Sequence, residues 1–232
     1  MYNISPYCRC IKAAGYYIPS LLPKIDETAR GFKILERYNY KKDENVFSTS
    51  IYGNNPKYYK NIDNLIYNAN QLENWNLRVY LHDQVNDDIK NKLINKKAQV
   101  FIVRDPLVIP GLSAGAFWRF MPLKENIQFI VIDSDDKLEL KKIKKYLKKW
   151  DDSGKQYIRE NNIFTVMWPK SHIMAKNWGA KNANLKHLNI ENYKLRTPYS
   201  ADEIFLSYEL YPKIKNNICE TFEWNEFKNL NS

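Results

Sequence analysis

From Val46 onward, short apolar runs of strand length alternate with segments of helical periodicity, and this alternation constrains the fold more than any other feature of the chain. Val46-Phe47-Ser48-Thr49-Ser50-Ile51-Tyr52 reads as a strand that stops at Gly53-Asn54-Asn55-Pro56, a loop signal. A helix through roughly Ile62 to Glu73 follows, then a strand at Leu77 to Leu81, a helix from about Asp87 to Leu93, and a strand at Gln99 to Val103. A further helix containing Phe117-Trp118-Arg119-Phe120 precedes the apolar run Phe129-Ile130-Val131-Ile132, which reads as a buried strand ending directly in Asp133. This order predicts an α/β fold with a mostly parallel, Rossmann-like sheet flanked by helices. Ligands of such sheets bind beyond the carboxyl ends of the strands.

At 232 residues the chain fits one ordinary domain with a short extension, and its 44% hydrophobic and 14% aromatic content lie in the globular range. Residues 1–45 mix turn formers with short apolar pieces and end near the charged run Lys41-Lys42-Asp43-Glu44, so they are expected to be an N-terminal extension. The catalytic domain is expected over 46–212 and a C-terminal tail over 213–232. A net charge of +10 would attract phosphate-bearing partners, including nucleic acid, acidic membrane surfaces and nucleotide-sugars, and does not choose among them. Cys8, Cys10 and Cys219 are too few and too oddly placed for a disulfide framework, and Cys8-Arg9-Cys10 has the wrong spacing for a zinc pair. No apolar run approaches the roughly 18 residues that would span a bilayer. The expectation is a chain without a transmembrane segment, located in the cytoplasm.

After mid-chain, Leu140, Ile143, Leu147 and Trp150 recur at helical spacing, with Lys141, Lys142, Lys144, Lys145, Lys148 and Lys149 on the remaining faces. This amphipathic basic helix reads either as a membrane-surface or phosphate-binding element, or as a solvated helix packed by one stripe, which is the reading preferred here.

The sharpest local feature is Asp133-Ser134-Asp135-Asp136 at the end of an apolar strand. Like charges raise each other's pKa, so carboxylates gathered this closely call for a compensating cation. Asp133 and Asp135 can converge on one hard ion, Mn²⁺ or Mg²⁺, leaving coordination sites for diphosphate oxygens and water. The structural alternative is a polar turn in which Asp136 helps to begin the next helix. Position in a β-α series, where active-site loops are expected, favours the chemical reading.

Gly115-Ala116-Phe117-Trp118-Arg119-Phe120-Met121-Pro122-Leu123, followed by the strand and Asp133-Ser134-Asp135, resembles the block that precedes the D-x-D motif in a group of GT-A-type glycosyltransferases known from algal large DNA viruses and microbes. Phe47 to Lys60 is similar to that group's first strand and donor-side loop, and Trp75 to Asp83 to its second strand. Trp178-Gly179 and Asp202-Glu203-Ile204-Phe205-Leu206 are similar to its W-G loop and D-Q-x-F-L helix start. The resemblance runs from about Val46 to Pro212. Departures are Lys176 where a Gly precedes the W-G loop, Glu203 in place of Gln, and Ile132 in place of an Arg before the first Asp.

The resemblance implies a GT-A fold and a metal-dependent hexosyltransferase. It implies transfer from a nucleotide-diphosphate sugar, with a UDP-sugar favoured, to a glycan or glycoprotein acceptor, and no specific nucleic-acid partner. If the viral likeness extends to the source, the compartment is a host cell's cytoplasm. Tyr52 and Gly53 would lie against base and ribose, and Asp133, Ser134 and Asp135 would handle ribose and metal. Arg119 would reach the diphosphate or orient the acidic loop, since a guanidinium fork suits both. Asp202 is the expected general base of an inverting reaction, with Glu203 in reserve; the alternative for Asp202 is an acid placed at a helix start for the dipole. His172 and His187 are the candidates for a further metal ligand, and Trp168 and Trp178 for sugar stacking. Two rivals remain: a haloacid-dehalogenase-type phosphatase, whose nucleophile motif is also a D-x-D at a strand end, and a basic nucleic-acid-binding protein supported only by charge.

Overall fold

The computed structural model describes residues 31–53, 55–108, 114–160, 173–193 and 201–221. Its strands are β1 (Lys33–Tyr38), β2 (Asn45–Ile51), β3 (Trp75–His82), β4 (Gln99–Arg104), β5 (Gln128–Val131), β6 (Tyr157–Glu160), β7 (Trp178–Lys181) and β8 (Ile218–Thr221). They form one eight-stranded sheet in the order β1-β4-β3-β2-β5-β7-β6-β8. β2 runs parallel to both β3 and β5, and β3 parallel to β4, so the centre is the expected β-α-β unit. β1 is antiparallel on β4, β7 is antiparallel to β5 and β6, and β8 is parallel to β6. The helices are α1 (Ile62–Ala69), α2 (Asp87–Asn95), α3 (Leu140–Asp152), and the short α4 (Ala201–Phe205) and α5 (Tyr211–Ile214), the last two joined by a π-helical turn at Leu206–Leu210.

Central strands β2 and β3 are buried on both faces, yet they depart from the continuous apolar run usual for such strands: Ser48, Thr49 and Ser50 of β2 and Asn76, Arg78 and His82 of β3 are buried polar residues. Phe47 and Ile51 of β2, with Leu77, Val79 and Leu81 of β3, point to the face covered by Leu65 and Ile66 of α1, Leu93 of α2, and Ile143, Tyr146 and Trp150 of α3. The intervening residues Val46 and Tyr80 point to the other face. There the core is aromatic, with Phe117, Trp118, Phe120, Phe129, Trp178 and Phe205.

Several elements differ from the sequence reading. α1 stops at Ala69, because the chain must turn back at Asn74, whose φ of 60° lies in the left-handed region, before entering β3. The expected helix around Trp118 is a 3-10 segment, Ala114–Lys124, with Pro122 inside it. Proline lacks the N–H that an α-helical ladder would need at that point. In α3 the buried stripe is Ile143, Tyr146 and Trp150; Leu140 and Leu147 are only partly covered. Ion pairs of Lys142 with Glu139 (2.7 Å) and Lys148 with Asp152 (2.8 Å) fit a solvated outer face. The sheet also crosses both expected boundaries: β1 lies within the supposed extension and β8 within the supposed tail, each hydrogen-bonded to a strand of the catalytic region. Cys219 is a buried free thiol, whereas Cys8 and Cys10 lie outside the described residues. Among the described residues no helix is long and apolar enough to cross a membrane.

Candidate active site

Strand order reverses at β2: β3 and β4 lie to one side and β5 to the other. The crevice beyond the carboxyl ends at such a switch point is the usual ligand site of open α/β sheets. A cleft of ≈450 Å³ opens here, lined by Ser50 and Tyr52 at the end of β2, Lys57 and Tyr58, Arg119, the loop from Asp133 to Asp136, Lys176, and Asp202 and Glu203. Residues as far apart in sequence as Ser50 and Glu203 are thus gathered by topology alone.

The segment around Arg119 is divided between core and cleft. Trp118 is fully buried: its indole N–H donates to Asp105 (2.8 Å), and its ring stacks on His82 and meets the edge of Tyr52. Phe120 packs on Trp178 and Phe205. Between these anchors the Arg119 carbonyl accepts a hydrogen bond from Ser48 Oγ (2.7 Å), which fixes the backbone so that the guanidinium turns towards the cleft. One arm pairs with Asp133 and the other with Asp202 (3.1 Å). Burial disfavours the charge, but the two carboxylates outweigh it, and the Arg119 pKa is raised. Gly115 has its own reason: a Cβ there would collide with the Tyr52 ring, which lies over it. Burial lifts the Tyr52 phenol to about 12, so the ring faces the cleft uncharged.

The acidic loop is tied down on every side. Ile132 N–H continues the ladder to Ser48 (3.0 Å), the Asp136 carboxylate accepts from Asp133 N–H (3.0 Å), and Asn61 donates to the Asp135 carbonyl (2.5 Å). Asp136 therefore caps its own turn and does not cap α3, which begins at Leu140 after an uncapped Glu139. Each carboxylate of the loop meets a protein cation. Lys57 pairs with Asp135 (2.8 Å), and Lys176 with both Asp133 (3.1 Å) and Asp136 (2.7 Å). Burial alone would raise the Asp133 pKa, but Arg119 and Lys176 overcome that and hold it below the ordinary range.

Asp202 and Glu203 sit at the start of α4 and differ in environment. Asp202 is buried, with one oxygen on Arg119 and the other accepting from Glu203 N–H (3.0 Å). Glu203 also lines the cleft and accepts from the backbone N–H of Ala175, but burial first, and then the neighbouring charge of Asp202, push its pKa up to about 7.

Tyr52, Arg119, Asp133, Ser134, Asp135, Asp202 and Glu203 are thus brought together as the sequence implied. Gly53 is not among the residues lining the cleft; it is exposed, with φ 79°, and makes the turn whose carbonyl accepts from Tyr59. Trp178 is 1% exposed between Phe120 and Phe129, so it is core and cannot stack on a sugar. His187 lines a separate cavity of ≈1020 Å³ with His82, Asp83 and Arg104, away from the acidic loop. His172 and Trp168 lie outside the described residues. Sequence reasoning missed Lys57 as a site residue, and noted Lys176 only as a departure from a pattern.

For a divalent ion the fit is poor as these side chains stand. Among the described residues no group of three or more His, Cys, Asp or Glu side chains could hold a metal ion, and Mn²⁺ or Mg²⁺ at Asp133 and Asp135 would have to displace lysine ammonium groups. A phosphatase using Asp133 as nucleophile meets a similar obstacle, since Arg119 and Lys176 engage its two oxygens.

No protein-family model and no curated protein matches the sequence. Solved structures do match. The chain is similar to S. aureus TarS residues 1-349 with a TM-score of 0.51 and 13% identity, over 77% of this chain and 58% of that one. It is also similar to a second S. aureus TarS structure with a TM-score of 0.50 and 14% identity, over 77% of this chain and 35% of that one. The chain therefore spans little more than half of the shorter TarS chain and about a third of the longer. Such identity speaks to fold alone: the chain has a mixed α/β fold shared with these structures and consistent with the GT-A type.

Proposed function

We propose that the cleft binds a nucleotide-diphosphate sugar, a UDP-sugar by preference, and passes the sugar to a hydroxyl of a glycan or glycoprotein acceptor with inversion. The observation that carries this reading is the meeting, at the β2/β5 switch point, of a cationic set (Lys57, Arg119, Lys176) with a carboxyl group of raised pKa, Glu203. Cations at the carboxyl ends of parallel strands suit a diphosphate leaving group. A carboxylate poised near neutral pH suits the removal of a proton from an acceptor hydroxyl. Of the two carboxylates expected as base, the environment favours Glu203. Asp202 has both oxygens engaged and serves better to hold Arg119 in place.

In the reaction the acceptor oxygen forms a bond to the anomeric carbon while the bond from that carbon to the diphosphate oxygen breaks. The electron pair leaves with the diphosphate, and the acceptor's proton passes to Glu203. Tyr52, uncharged and beside Tyr58 with ring centroids 6.5 Å apart, offers a flat surface to the base or ribose. The test is nucleoside diphosphate release from a panel of UDP-, GDP- and ADP-sugars in the presence of mixed glycan acceptors. One donor should support turnover, and Glu203→Gln should slow it by roughly 10²- to 10⁴-fold with donor affinity nearly unchanged. Equal rates for wild type and Glu203→Gln would remove the proposed base, and no release from any donor would remove the donor class.

A further inference from the structure

Resting on the donor reading above, we propose that Lys176 and Lys57 supply the positive charge at the leaving diphosphate, so that this cleft binds a nucleoside diphosphate without a divalent ion. Three carboxylates of the acidic loop, Asp133, Asp135 and Asp136, face three cations of the chain, Arg119, Lys57 and Lys176. No carboxylate of the loop stands open, and an ion approaching Asp133 or Asp135 meets an ammonium group within about 3 Å, where like charges repel strongly.

Lys176 is built into this position. The next residue, Asn177, is buried and held in the left-handed region at φ 57°. Its N–H donates to the Val131 carbonyl (2.8 Å) at the end of β5, just ahead of Asp133. Its carbonyl accepts from the Tyr146 hydroxyl of α3 (3.1 Å) and from Glu160 N–H (2.9 Å), and its side-chain amide donates to Glu160 (2.7 Å). These bonds tie the backbone beside Lys176 to the strand that carries the acidic loop. The ammonium group is thereby held between Asp133 and Asp136 with its side chain 22% exposed.

Lys57 differs in being 58% exposed on the turn Pro56–Tyr58, so it can exchange Asp135 for an incoming phosphate oxygen. An ammonium has three donors, enough to keep a carboxylate and accept a phosphate at once, and lysine is a common phosphate ligand. Arg119 completes the set from below, fixed by Ser48 and Asp202.

The experiment measures binding of UDP, GDP and ADP to the full chain by calorimetry, first in EDTA and then in Mn²⁺ or Mg²⁺, and binding of Mn²⁺ alone by electron paramagnetic resonance. The expected result is that one nucleotide binds in EDTA with a Kd changed less than about threefold by metal, and that wild type takes up no Mn²⁺ at micromolar concentration. Lys176→Gly should weaken binding in EDTA by about tenfold or more, the scale of one lost charge-assisted contact, and should gain Mn²⁺ binding and metal-dependent nucleotide affinity. If Lys176→Gly does not fold, Lys57→Ala, at an exposed position, should weaken binding in EDTA in the same direction. Nucleotide binding that appears only with metal overturns the proposal and leaves the donor reading standing. Unchanged affinity in EDTA for Lys57→Ala and for a folded Lys176→Gly also overturns it. If no nucleotide binds in either condition, the donor reading falls and the proposal falls with it.

Discussion

Glu203 and Asp202 are neighbours in sequence with different environments, and the difference lies in what each side chain touches. Asp202 is spent on Arg119 and on the first turn of α4, whereas Glu203 is held in a partly dry place where ionisation is unfavourable until about pH 7. A base of raised pKa is inactive below that value, so kcat/KM should climb with pH and level off above a midpoint near 7. A pH-rate profile on the cognate donor checks this, and in Glu203→Gln the inflection should vanish along with most of the rate. The sign for stability is opposite. Glu203 stays neutral in the fold up to about pH 7, above the ordinary carboxylate range, so its contribution is fully present below that range and is lost as pH rises through about 7, and the most active form is not the most stable. The sequence placed both acids at a helix start and pointed to Asp202 as base with Glu203 in reserve; the proposed reversal rests on burial and on a partner 83 residues from Asp202, Arg119, neither of which local sequence shows.

At the scale of elements, β7 shows how a residue pair marked out in sequence can take a purely structural part in the fold. Trp178-Gly179 was legible as a motif, and its tryptophan was expected to stack on a sugar. In the fold Trp178 fills the aromatic core, and Gly179 lies where a Cβ would strike the Phe129 carbonyl on β5. Gly179→Ala should therefore push β7 away from β5 and destabilise the protein by roughly 1–3 kcal/mol, the range for overpacking a filled site. Denaturant unfolding measures it, and a stability change under about 0.5 kcal/mol, the ordinary range of surface substitutions, would mean the strands part easily. β4 and β5 were legible because the short apolar runs Val100-Phe101-Ile102-Val103 and Phe129-Ile130-Val131 stand out from their surroundings in any tertiary context. The 3-10 segment Ala114–Lys124 was not, since its apolar content fits an α-helix until Pro122 is weighed against the ladder.

For the whole molecule, the sheet takes in strands from beyond both expected domain boundaries, and its limits could not be read from local pattern. β1 follows turn-rich sequence and is largely exposed, so nothing in its composition marks it as part of the domain; only its pairing with β4 does. Removing residues 1–45 should uncover the edge of β4 and yield a less stable chain prone to associate, as exposed strand edges do. Size-exclusion chromatography and thermal unfolding of the truncated chain check this, and a monomer as stable as wild type would restore the boundary near Val46. The cleft itself was half legible. Asp133, Asp135 and Arg119 carry the marks of a motif, whereas Lys57 and Lys176 are two lysines among many in a chain of net charge +10 and gain meaning only by their place against the acidic loop. The most direct test of the whole account is a crystal structure of the chain soaked with the nucleoside diphosphate that binds it. The account predicts the diphosphate in the crevice between β2 and β5, within hydrogen-bond reach of Lys57, Arg119 or Lys176, with Glu203 facing the open side; a nucleotide seated instead in the cavity beside His82 and His187, with the acidic loop unchanged, would contradict it.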